Sequence, residues 1–361
     1  MAKAPAYKSI QMDILNRISD GTLKPGERIA TEAELMEQYG VSRITAQRAI
    51  FELKQRGLLV RKPRAGTFVA QAPSAAPAGG QQGGGLISGK YSIAVVAPFD
   101  MAYGGVGGAY QYLKGIMSAH TLGRDQLVLL NTGYMAALEH SMLENCLDRG
   151  VSGVIYHPSM YSITPRDTLM RISAYGLPCV QIDQHTPGVP LPCVQTDNMA
   201  AARQLTQQAL NRGHRRFCFI GDADVQSQSA RYLGMCQTLA EAGVPQDCAL
   251  YRRYDGTNPE TLPQLVDWLM KKEVTCACCA TDVHAKPLLD ACERAGVTNQ
   301  ISIISFDGLY PGLIASMRQD FEQIGRTATE LLLQWLLLRQ RPEKDALLEA
   351  EYVDGTSLKQ R

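Results

Sequence analysis

Apolar side chains recur at helical spacing through the first part of the chain, with polar residues between them. They predict three short helices, defined by Tyr7, Ile10, Ile14 and Ile18, then by Leu35, Met36 and Tyr39, and then by Ala46, Ala49, Ile50 and Leu53. Thr31 and Glu34 have the spacing of a capping box at the start of the second helix. Gly40 allows a tight turn, and Ser42 is the expected N-cap of the third helix. Two short helices joined by such a turn indicate a helix-turn-helix.

The pattern changes to short strands after Gly57, which is expected to end the third helix. Residues 58–61 and 67–69 are rich in β-prone side chains, and the segment 62–66 between them is a basic hairpin tip. A wing of this kind suits the minor groove of DNA or the flanking phosphates.

From residue 91 onward, short apolar runs alternate with helical stretches. The predicted strands are Ser92–Ala97, Gln126–Leu130, Gly153–Tyr156, Cys179–Ile182, Phe217–Ile220, Thr275–Ala280 and Ile301–Phe306. The predicted helices span residues 108–120, 135–149, 166–175, 198–212, 228–242, 260–271 and 283–295. Continuous apolar strands that alternate with helices are typical of a parallel sheet covered on both faces.

Between these two regions, residues 71–89 form an uncharged tract of Ala, Pro, Gly and Gln. Such a composition is typical of a flexible linker. The sequence therefore predicts a small DNA-binding domain over residues 1–70, a flexible linker over 71–89 and a large α/β domain over 90–361.

Charge divides along the same lines. The net charge of +1 combines +5 in residues 1–70 with −4 in the remainder, so only the first part is expected to meet a polyanion. No apolar run approaches about 20 residues, and no apolar segment follows the first residues. We expect neither a membrane span nor a secretory signal, and a cytoplasmic location.

The ten cysteines all follow residue 145 and are expected to be reduced. Cys276, Cys278 and Cys279, with His284 nearby, could be read as a zinc cluster, but their spacing fits none of the usual ligand pairs. We favour a buried strand of small apolar residues and expect no metal.

Candidate DNA-contacting side chains lie near the start of the third helix. Arg43, Thr45, Gln47 and Arg48 point away from its buried stripe, and such side chains read base edges and hold phosphates. An ordinary solvated helix face is the alternative when this segment is considered alone.

Candidate ligand contacts follow the predicted strands, because ligands bind beyond the carboxyl ends of parallel strands. The polar residues found there are Asp100, Tyr103, His157, Asp183, Asp222, Asp282 and Asp307. Each carboxylate can accept hydrogen bonds from two hydroxyl groups of a polyhydroxy ligand, although any single one could instead cap a helix or a turn. The glycines of the segment 104–108 invite a nucleotide reading, but they lack a dinucleotide fingerprint, and a lid over a cleft is the favoured interpretation.

The first part resembles the winged helix of the GntR regulators. The landmarks occur in family order at 21–29, 41–45, 57–59 and 66–69. The resemblance and the basic pattern together indicate the DNA-contacting residues Thr31, Ser42, Arg43, Thr45, Gln47, Arg48, Arg61, Lys62, Arg64 and Gly66. Gln47 departs from the arginine usual in the family, and glutamine favours adenine where arginine favours guanine.

The large part resembles the effector domain of LacI-type repressors. The motifs that carry the likeness lie at 178–183, 194–198, 213–221, 231–234, 280–285, 301–308 and 318–320. The resemblance implies two α/β lobes joined by three crossovers, as in periplasmic sugar-binding proteins, with a ligand in the cleft. By motif position it implies effector contacts from His157, Asp183, Ser227, Arg231, Asp282, Asp307 and Gln319. It also leaves Asp197 and Asn198 as residues that cap the next helix and hold the hinge.

A GntR-like head on a LacI-like body resembles the arabinose repressor subgroup. We therefore expect a repressor of carbohydrate-utilisation genes that binds a near-palindromic DNA operator as a homodimer and senses a sugar. No cofactor is expected. A nucleoside, a sugar phosphate or an amino-acid derivative is the alternative effector. An enzyme that processes its ligand is the rival class, but the Gly-x-Ser-x-Gly, P-loop and His-Glu-x-x-His motifs are absent.

Overall fold

The computed structural model describes most of the chain. The described residues are 10, 11, 13, 14, 17, 22–24, 26–55, 59–62, 66–69, 91–99, 108–119, 125–133, 135–158, 165–254 and 259–361. The chain divides into two compact units, the head (Met1–Gly85) and the body (Leu86–Arg361).

The head is a winged helix-turn-helix, as the sequence predicted. Its elements are α1, of which residues 10, 11, 13, 14 and 17 are described, α2 (Glu32–Tyr39), α3 (Arg43–Gln55), β1 (Leu59–Lys62) and β2 (Gly66–Val69). Thr31 accepts a hydrogen bond from the backbone of Glu34, whose carboxylate accepts one from the Thr31 N–H at 2.7 Å, so the capping box is confirmed. Gly40 adopts a left-handed conformation with φ of 61°, which turns the chain into α3.

The apolar stripe of α3 is buried as predicted. Ala46, Ala49 and Leu53 are fully buried, and they pack with residues of α1, α2 and the wing in one core. β1 and β2 pair antiparallel, with Leu59 opposite Val69. This core leaves the first turn of α3 at the surface.

The first lobe of the body is a parallel sheet covered by helices. Its elements are β3 (Tyr91–Ala97), α4 (Gly108–Ala119), β4 (Asp125–Asn131), α5 (Ala136–Asp148), β5 (Gly153–Tyr156), α6 (Arg166–Tyr175), β6 (Cys179–Ile182), β7 (Cys193–Thr196), α11 (Phe321–Leu338) and β13 (Ala346–Leu348). The strand order is β13-β7-β6-β5-β3-β4, and every described pair is parallel. Ile93 and Val95 pack with α4 and α11, whereas Ala94 and Val96 pack with α5 and α6. Alternation along a strand therefore buries both faces of the sheet.

The second lobe repeats this architecture. Its elements are α7 (Asn198–Asn211), β8 (Phe217–Gly221), α8 (Gln226–Glu241), β9 (Ala249–Arg253), α9 (Leu262–Lys271), β10 (Cys276–Cys279), α10 (Asp282–Arg294), β11 (Ser302–Asp307), β12 (Ala315–Arg318) and β14 (Glu351–Val353), with short 3₁₀ turns at Gln246–Cys248 and Pro259–Thr261. The strand order is β14-β12-β11-β10-β8-β9, and β14 runs antiparallel to β12. The chain crosses between the lobes after β7, after β12 and between β13 and β14, which confirms the three expected crossovers.

The cysteines of β10 are packing residues. Cys276, Cys278 and Cys279 are buried, and burial raises the pKa of all three thiols. His284 contacts Thr281, with 3.0 Å between His284 Nδ1 and the Thr281 hydroxyl. Within the described ranges, no group of three or more metal-ligating side chains is placed to hold an ion.

The seven predicted strands and seven predicted helices of the body are confirmed, each within two residues at either end. The sequence prediction omitted strands β7, β9, β12, β13 and β14 and the helix α11. No helix in the described part of the chain combines the length and the apolar character that a bilayer crossing requires.

Candidate functional site

The exposed start of α3 carries the candidate DNA-contacting groups. Ser42 accepts a hydrogen bond from the Thr45 N–H at 3.3 Å, which confirms it as the N-cap, and the two hydroxyl oxygens lie 2.9 Å apart. The side chains of Arg43 and Gln47 are exposed one turn apart. Hydroxyl, guanidinium and amide groups therefore face solvent at the positive end of the helix dipole, where phosphate contacts are favoured.

A carboxylate that the sequence did not single out joins this face. The Gln47 amide donates a hydrogen bond to Oε2 of Glu32 at 2.9 Å, and Nε of Arg43 lies 3.5 Å from the same oxygen. Glu32 is the first residue of α2. Its contact with Gln47 joins residues 15 positions apart, which no local sequence pattern reveals.

The wing completes the face. A surface pocket of about 490 Å³ brings together Glu32, Arg43 and Arg61 with Thr67 and Gly66. Gly66 has φ of 118°, and a β-carbon there would lie 3.1 Å from the Arg28 side chain, so the wing closes tightly only with glycine. Arg64 lies outside the described residues, as do the side chains of Arg48 and Lys62.

The body places its candidate ligand contacts at the carboxyl ends of both sheets. His157 follows β5, Asp183 follows β6, and Asp307 is the last residue of β11. Asp183 and Asp307 have φ values of 67° and 101°, uncommon for residues with a side chain. Backbone strain of this kind is concentrated at functional sites, where the surrounding structure holds it.

In the first lobe, three side chains form one group. Nε2 of His157 lies 3.5 Å from Oδ2 of Asp183, and the His157 ring lies 5.5 Å from that of Tyr112. Burial alone would raise the pKa of Asp183, but hydrogen bonds from His157 and Tyr112 and the charges of His157 and Arg231 hold it below its ordinary value. Asp183 is therefore a preformed anion that is already partly solvated by neighbouring donors.

In the second lobe, Arg231 is fixed before any ligand arrives. It is 2% exposed, its Nε donates to Oδ1 of Asn198 at 2.7 Å, and its Nη1 donates to the Ala280 carbonyl at 2.6 Å. The guanidinium carbon lies 4.5 Å from the centre of the Phe306 ring, and Nη1 lies 3.9 Å from Asp307. A guanidinium group held in this way presents its remaining N–H donors in one fixed orientation.

Two carboxyl groups of this lobe resist ionisation. Burial and the charge of Asp307 raise the pKa of Asp282 to about 7, although Asp282 accepts a hydrogen bond from the Leu309 N–H at 2.6 Å. Burial also raises the pKa of Asp307, against the opposing effects of Arg231 and Gln319. The charge of Asp183 acts in the same direction as burial, so carboxylates from both lobes share one electrostatic environment.

A hydrogen-bonded chain joins this group to the crossovers between the lobes. Nε2 of Gln319 donates to Asp307 at 2.6 Å, and the Thr196 hydroxyl donates to Oε1 of Gln319 at 2.7 Å. Thr196 ends β7 just before the first crossover, and Gln319 lies in the second. A displacement of Asp307 can therefore be transmitted to two of the three crossover segments that connect the lobes.

Family comparisons agree with these geometries. Residues 6–69 match the family of bacterial regulatory proteins of the gntR family, and residues 206–358 match the periplasmic binding protein-like domain. The chain therefore contains a GntR-family domain followed by a periplasmic-binding-protein-like domain, which has the LacI-type fold.

The chain is similar to an arabinose metabolism transcriptional repressor of Geobacillus stearothermophilus, with 26% identity over 92% of this chain and 91% of that protein. A histidine utilization repressor of Klebsiella aerogenes is 47% identical over 70 residues, which cover 19% of this chain and 29% of that one. A LacI family regulator from Enterococcus faecium, solved with bound ribose, has the same fold with a TM-score of 0.61 and 19% identity, over 73% of this chain and 97% of that structure. The gntR family is one of bacterial regulatory proteins, and these three relatives are named as transcriptional repressors or regulators and not as enzymes, in agreement with that expectation.

Not every predicted contact of the LacI-type domain joins the group around Arg231 and Asp307. Asp222 accepts a hydrogen bond from Arg253 at 2.9 Å and one from the Asp224 N–H, so it is a turn residue, the alternative allowed for any single aspartate. Ser227 is buried in the first turn of α8, four residues before Arg231. Asp100, Tyr103 and the glycines 104–107 lie outside the described residues.

Other side chains were missed or undervalued. Tyr112 and Phe306 contact the predicted residues but were not among the candidate ligand contacts. Asp197 caps α7 as expected, whereas Asn198 also orients Arg231. From the sequence alone, the available signal for Tyr112 was a tyrosine within the predicted helix 108–120.

We expect Asp282→Asn to change how the stability of the LacI-type domain depends on pH. Because the folded-state pKa of Asp282 is raised to about 7, its protonated form stabilises the fold at low pH, and this contribution is lost as the pH rises through 7. Between pH 5 and pH 8, the melting temperature should fall by roughly 5–10 °C more in the wild type than in the variant, because about 2.7 kcal/mol of stabilisation is lost. Calorimetry measures this difference. Asp224→Asn removes an exposed carboxylate of the same lobe and should follow the wild type; parallel profiles for all three proteins would contradict the expectation.

Proposed function

We propose that this chain is a repressor whose LacI-type domain binds an uncharged polyhydroxy sugar and thereby changes its affinity for operator DNA. The observation that carries the proposal is the group formed by Asp183 from one lobe and Arg231 and Asp307 from the other. Opposed hydrogen-bonding groups of this kind suit a ligand that holds two lobes together.

The chemistry of this group fits hydroxyl groups. A carboxylate accepts hydrogen bonds from two adjacent hydroxyls, and a fixed guanidinium donates to two. The buried rings of Tyr112 and Phe306 pack against His157 and Arg231 and hold these polar groups in place. The relative from Geobacillus is named for arabinose and the Enterococcus structure holds ribose, and both are uncharged pentoses.

The charges favour an uncharged sugar over a sugar phosphate. Asp183 is ionised, Asp282 and Asp307 have raised pKa values, and the Arg231 guanidinium beside them already lies 3.9 Å from Asp307. A phosphate would add up to two negative charges in partly buried surroundings, where repulsion between like charges is strong. The alternative effectors that carry phosphate are therefore disfavoured.

Binding would reach the DNA through the connection between the lobes. A ligand that contacts Asp307 also acts on Gln319 and Thr196, and it favours the lobe arrangement that it binds more tightly. Residues 71–89 would act as the tether between a DNA-binding domain at 1–70 and an effector domain at 90–361. Two such chains, as a cytoplasmic homodimer, would bind the two halves of a near-palindromic operator, each with α3 in the major groove.

Thermal melting with a ligand panel tests the proposed effector class. Arabinose, ribose and xylulose are compared with ribose 5-phosphate on the full chain at one pH. A sugar present at about 100 times its Kd stabilises the folded state by about 2.7 kcal/mol, so at least one uncharged pentose should raise the melting temperature by several degrees. Stabilisation by ribose 5-phosphate alone would overturn the assignment to an uncharged sugar. Consumption of the pentose during incubation would instead support an enzyme.

A further inference from the structure

Glu32 occupies an unexpected position for a DNA-binding surface. Its side chain is 27% exposed, and a single carboxylate oxygen, Oε2, contacts the side chains of Gln47 and Arg43. Both side chains are exposed in the first turns of α3 and carry base-reading chemistry. A negative charge here is repelled by the phosphates of DNA and weakens binding, so we expect a favourable effect of Glu32 on its two neighbours.

The contact fixes which way the Gln47 amide points. A carboxylate only accepts hydrogen bonds, so the amide must present its Nε2 to Glu32, and its Oε1 must face elsewhere. One N–H and one carbonyl oxygen remain free. That pair matches adenine, which offers the N7 acceptor and the N6 donor in the major groove.

The same contact works against guanine. Guanine presents two acceptors, N7 and O6, and a glutamine amide can meet both only by donating both of its N–H groups. With one N–H donated to Glu32, a single donor remains, so the preference for adenine is built in before DNA is bound. Holding the amide in advance also reduces the rotamer entropy that binding must remove.

We propose that Glu32 is a specificity-determining residue of the GntR head, which acts by positioning Gln47 and Arg43 and not by touching a base. Two effects of opposite sign follow. Loss of the carboxylate weakens the discrimination between adenine and guanine, because the amide can turn over. The same loss strengthens binding to unrelated DNA, because a negative charge has been removed from the face that meets phosphate.

The test begins with duplexes recovered from a randomised pool by the full wild-type chain. The same selection with Gln47→Ala identifies the base pair that Gln47 reads, because the variant loses its base preference at that position of the duplex. The proposal requires the wild type to prefer adenine there. Recovery of any sequence-specific duplex tests DNA reading by the head separately, because this inference rests on that activity.

Binding is then measured to the recovered duplex, to the same duplex with that adenine replaced by guanine, and to an unrelated duplex. For Glu32→Gln we expect the Kd for the guanine duplex divided by the Kd for the adenine duplex to fall about tenfold, since a bidentate base contact contributes about 1–3 kcal/mol of discrimination. The Kd for the unrelated duplex should fall about two- to fivefold, with a steeper salt dependence.

Glu37→Gln is the matched control, because it removes the same charge from an exposed position of α2. It should leave the ratio unchanged. Glu32→Ala provides a second variant that cannot hold the amide at all, and the melting temperature of each protein reports whether the head is folded. An unchanged adenine-to-guanine ratio in folded Glu32→Gln and Glu32→Ala would overturn the proposal, as would an equal loss of affinity for all three duplexes.

Discussion

Arg231→Met should abolish the response to the sugar while leaving the ligand-free protein able to bind its operator. The substitution keeps the length of the side chain but removes the fork that is held by Asn198 and the Ala280 carbonyl. Hydrogen bonds that involve a charged group contribute about 1.5–3 kcal/mol each, so the loss of two contacts to a pentose should weaken its binding by at least about 100-fold. Titration calorimetry with the pentose that stabilises the wild type measures this change.

Two controls separate lost recognition from lost folding. Arg203→Met removes an arginine that pairs with Glu241 at 2.8 Å on the surface of α7, and it should bind the pentose normally. Arg231→Lys keeps the charge beside Asp307 but lacks the planar fork, so it should remain folded and recover only part of the affinity. A folded Arg231→Met protein with wild-type affinity for the pentose would show that the ligand binds elsewhere.

Gly325→Ala should destabilise the body and weaken sugar binding together. Gly115 of α4 and Gly325 of α11 allow the two helices to pack backbone against backbone. A β-carbon on Gly325 would overlap the Tyr112 carbonyl, and one on Gly115 would overlap that of Glu322. Alanine normally favours a helix over glycine by about 1 kcal/mol, so a loss of stability would have to come from this overlap.

The expected loss is about 1–3 kcal/mol, the usual cost of overpacking, or about 2–10 °C in the melting temperature. Sugar binding should weaken because Tyr112, whose backbone is displaced, contacts Asp183 and His157. Met117→Ala in α4 and Glu330→Ala in α11 change exposed positions of the same two helices and should leave both properties unchanged. Equal melting temperatures for Gly325→Ala and these controls would contradict the close packing.

The parts of this architecture that were predictable are those that local pattern defines. The apolar runs of β3 to β6, β8, β10 and β11 are continuous because both faces of their sheets are covered. The capping box at Thr31 and Glu34 likewise predicts the start of α2. The strands that were missed have mixed polarity, as in β9 with its two terminal arginines, because they lie at or near a sheet edge. Helix α11 was missed even though its buried residues Phe321, Ile324, Ala328 and Leu332 recur at helical spacing, so local pattern could have revealed it. It packs on α4, more than 200 residues earlier in the sequence.

The same distinction explains the candidate sites. Asp183 and Asp307 could be predicted, since each ends a recognisable strand and the carboxyl ends of parallel strands bind ligands. Glu32 and Tyr112 could not, because each takes part only through a partner on another element. Their roles arise from tertiary contacts that are not encoded in any local spacing.

The most direct measurement of the central claim compares two coupling ratios on the full chain. The Kd of the stabilising pentose is determined with and without saturating recovered duplex, and the Kd of that duplex is determined with and without saturating pentose. If sugar binding to the LacI-type domain changes the DNA affinity of the GntR head, the factor by which DNA changes the pentose Kd must equal the factor by which pentose changes the DNA Kd. Both factors should lie between about 5 and 150. A pentose that binds the body with the same Kd whether or not DNA is present would contradict that control.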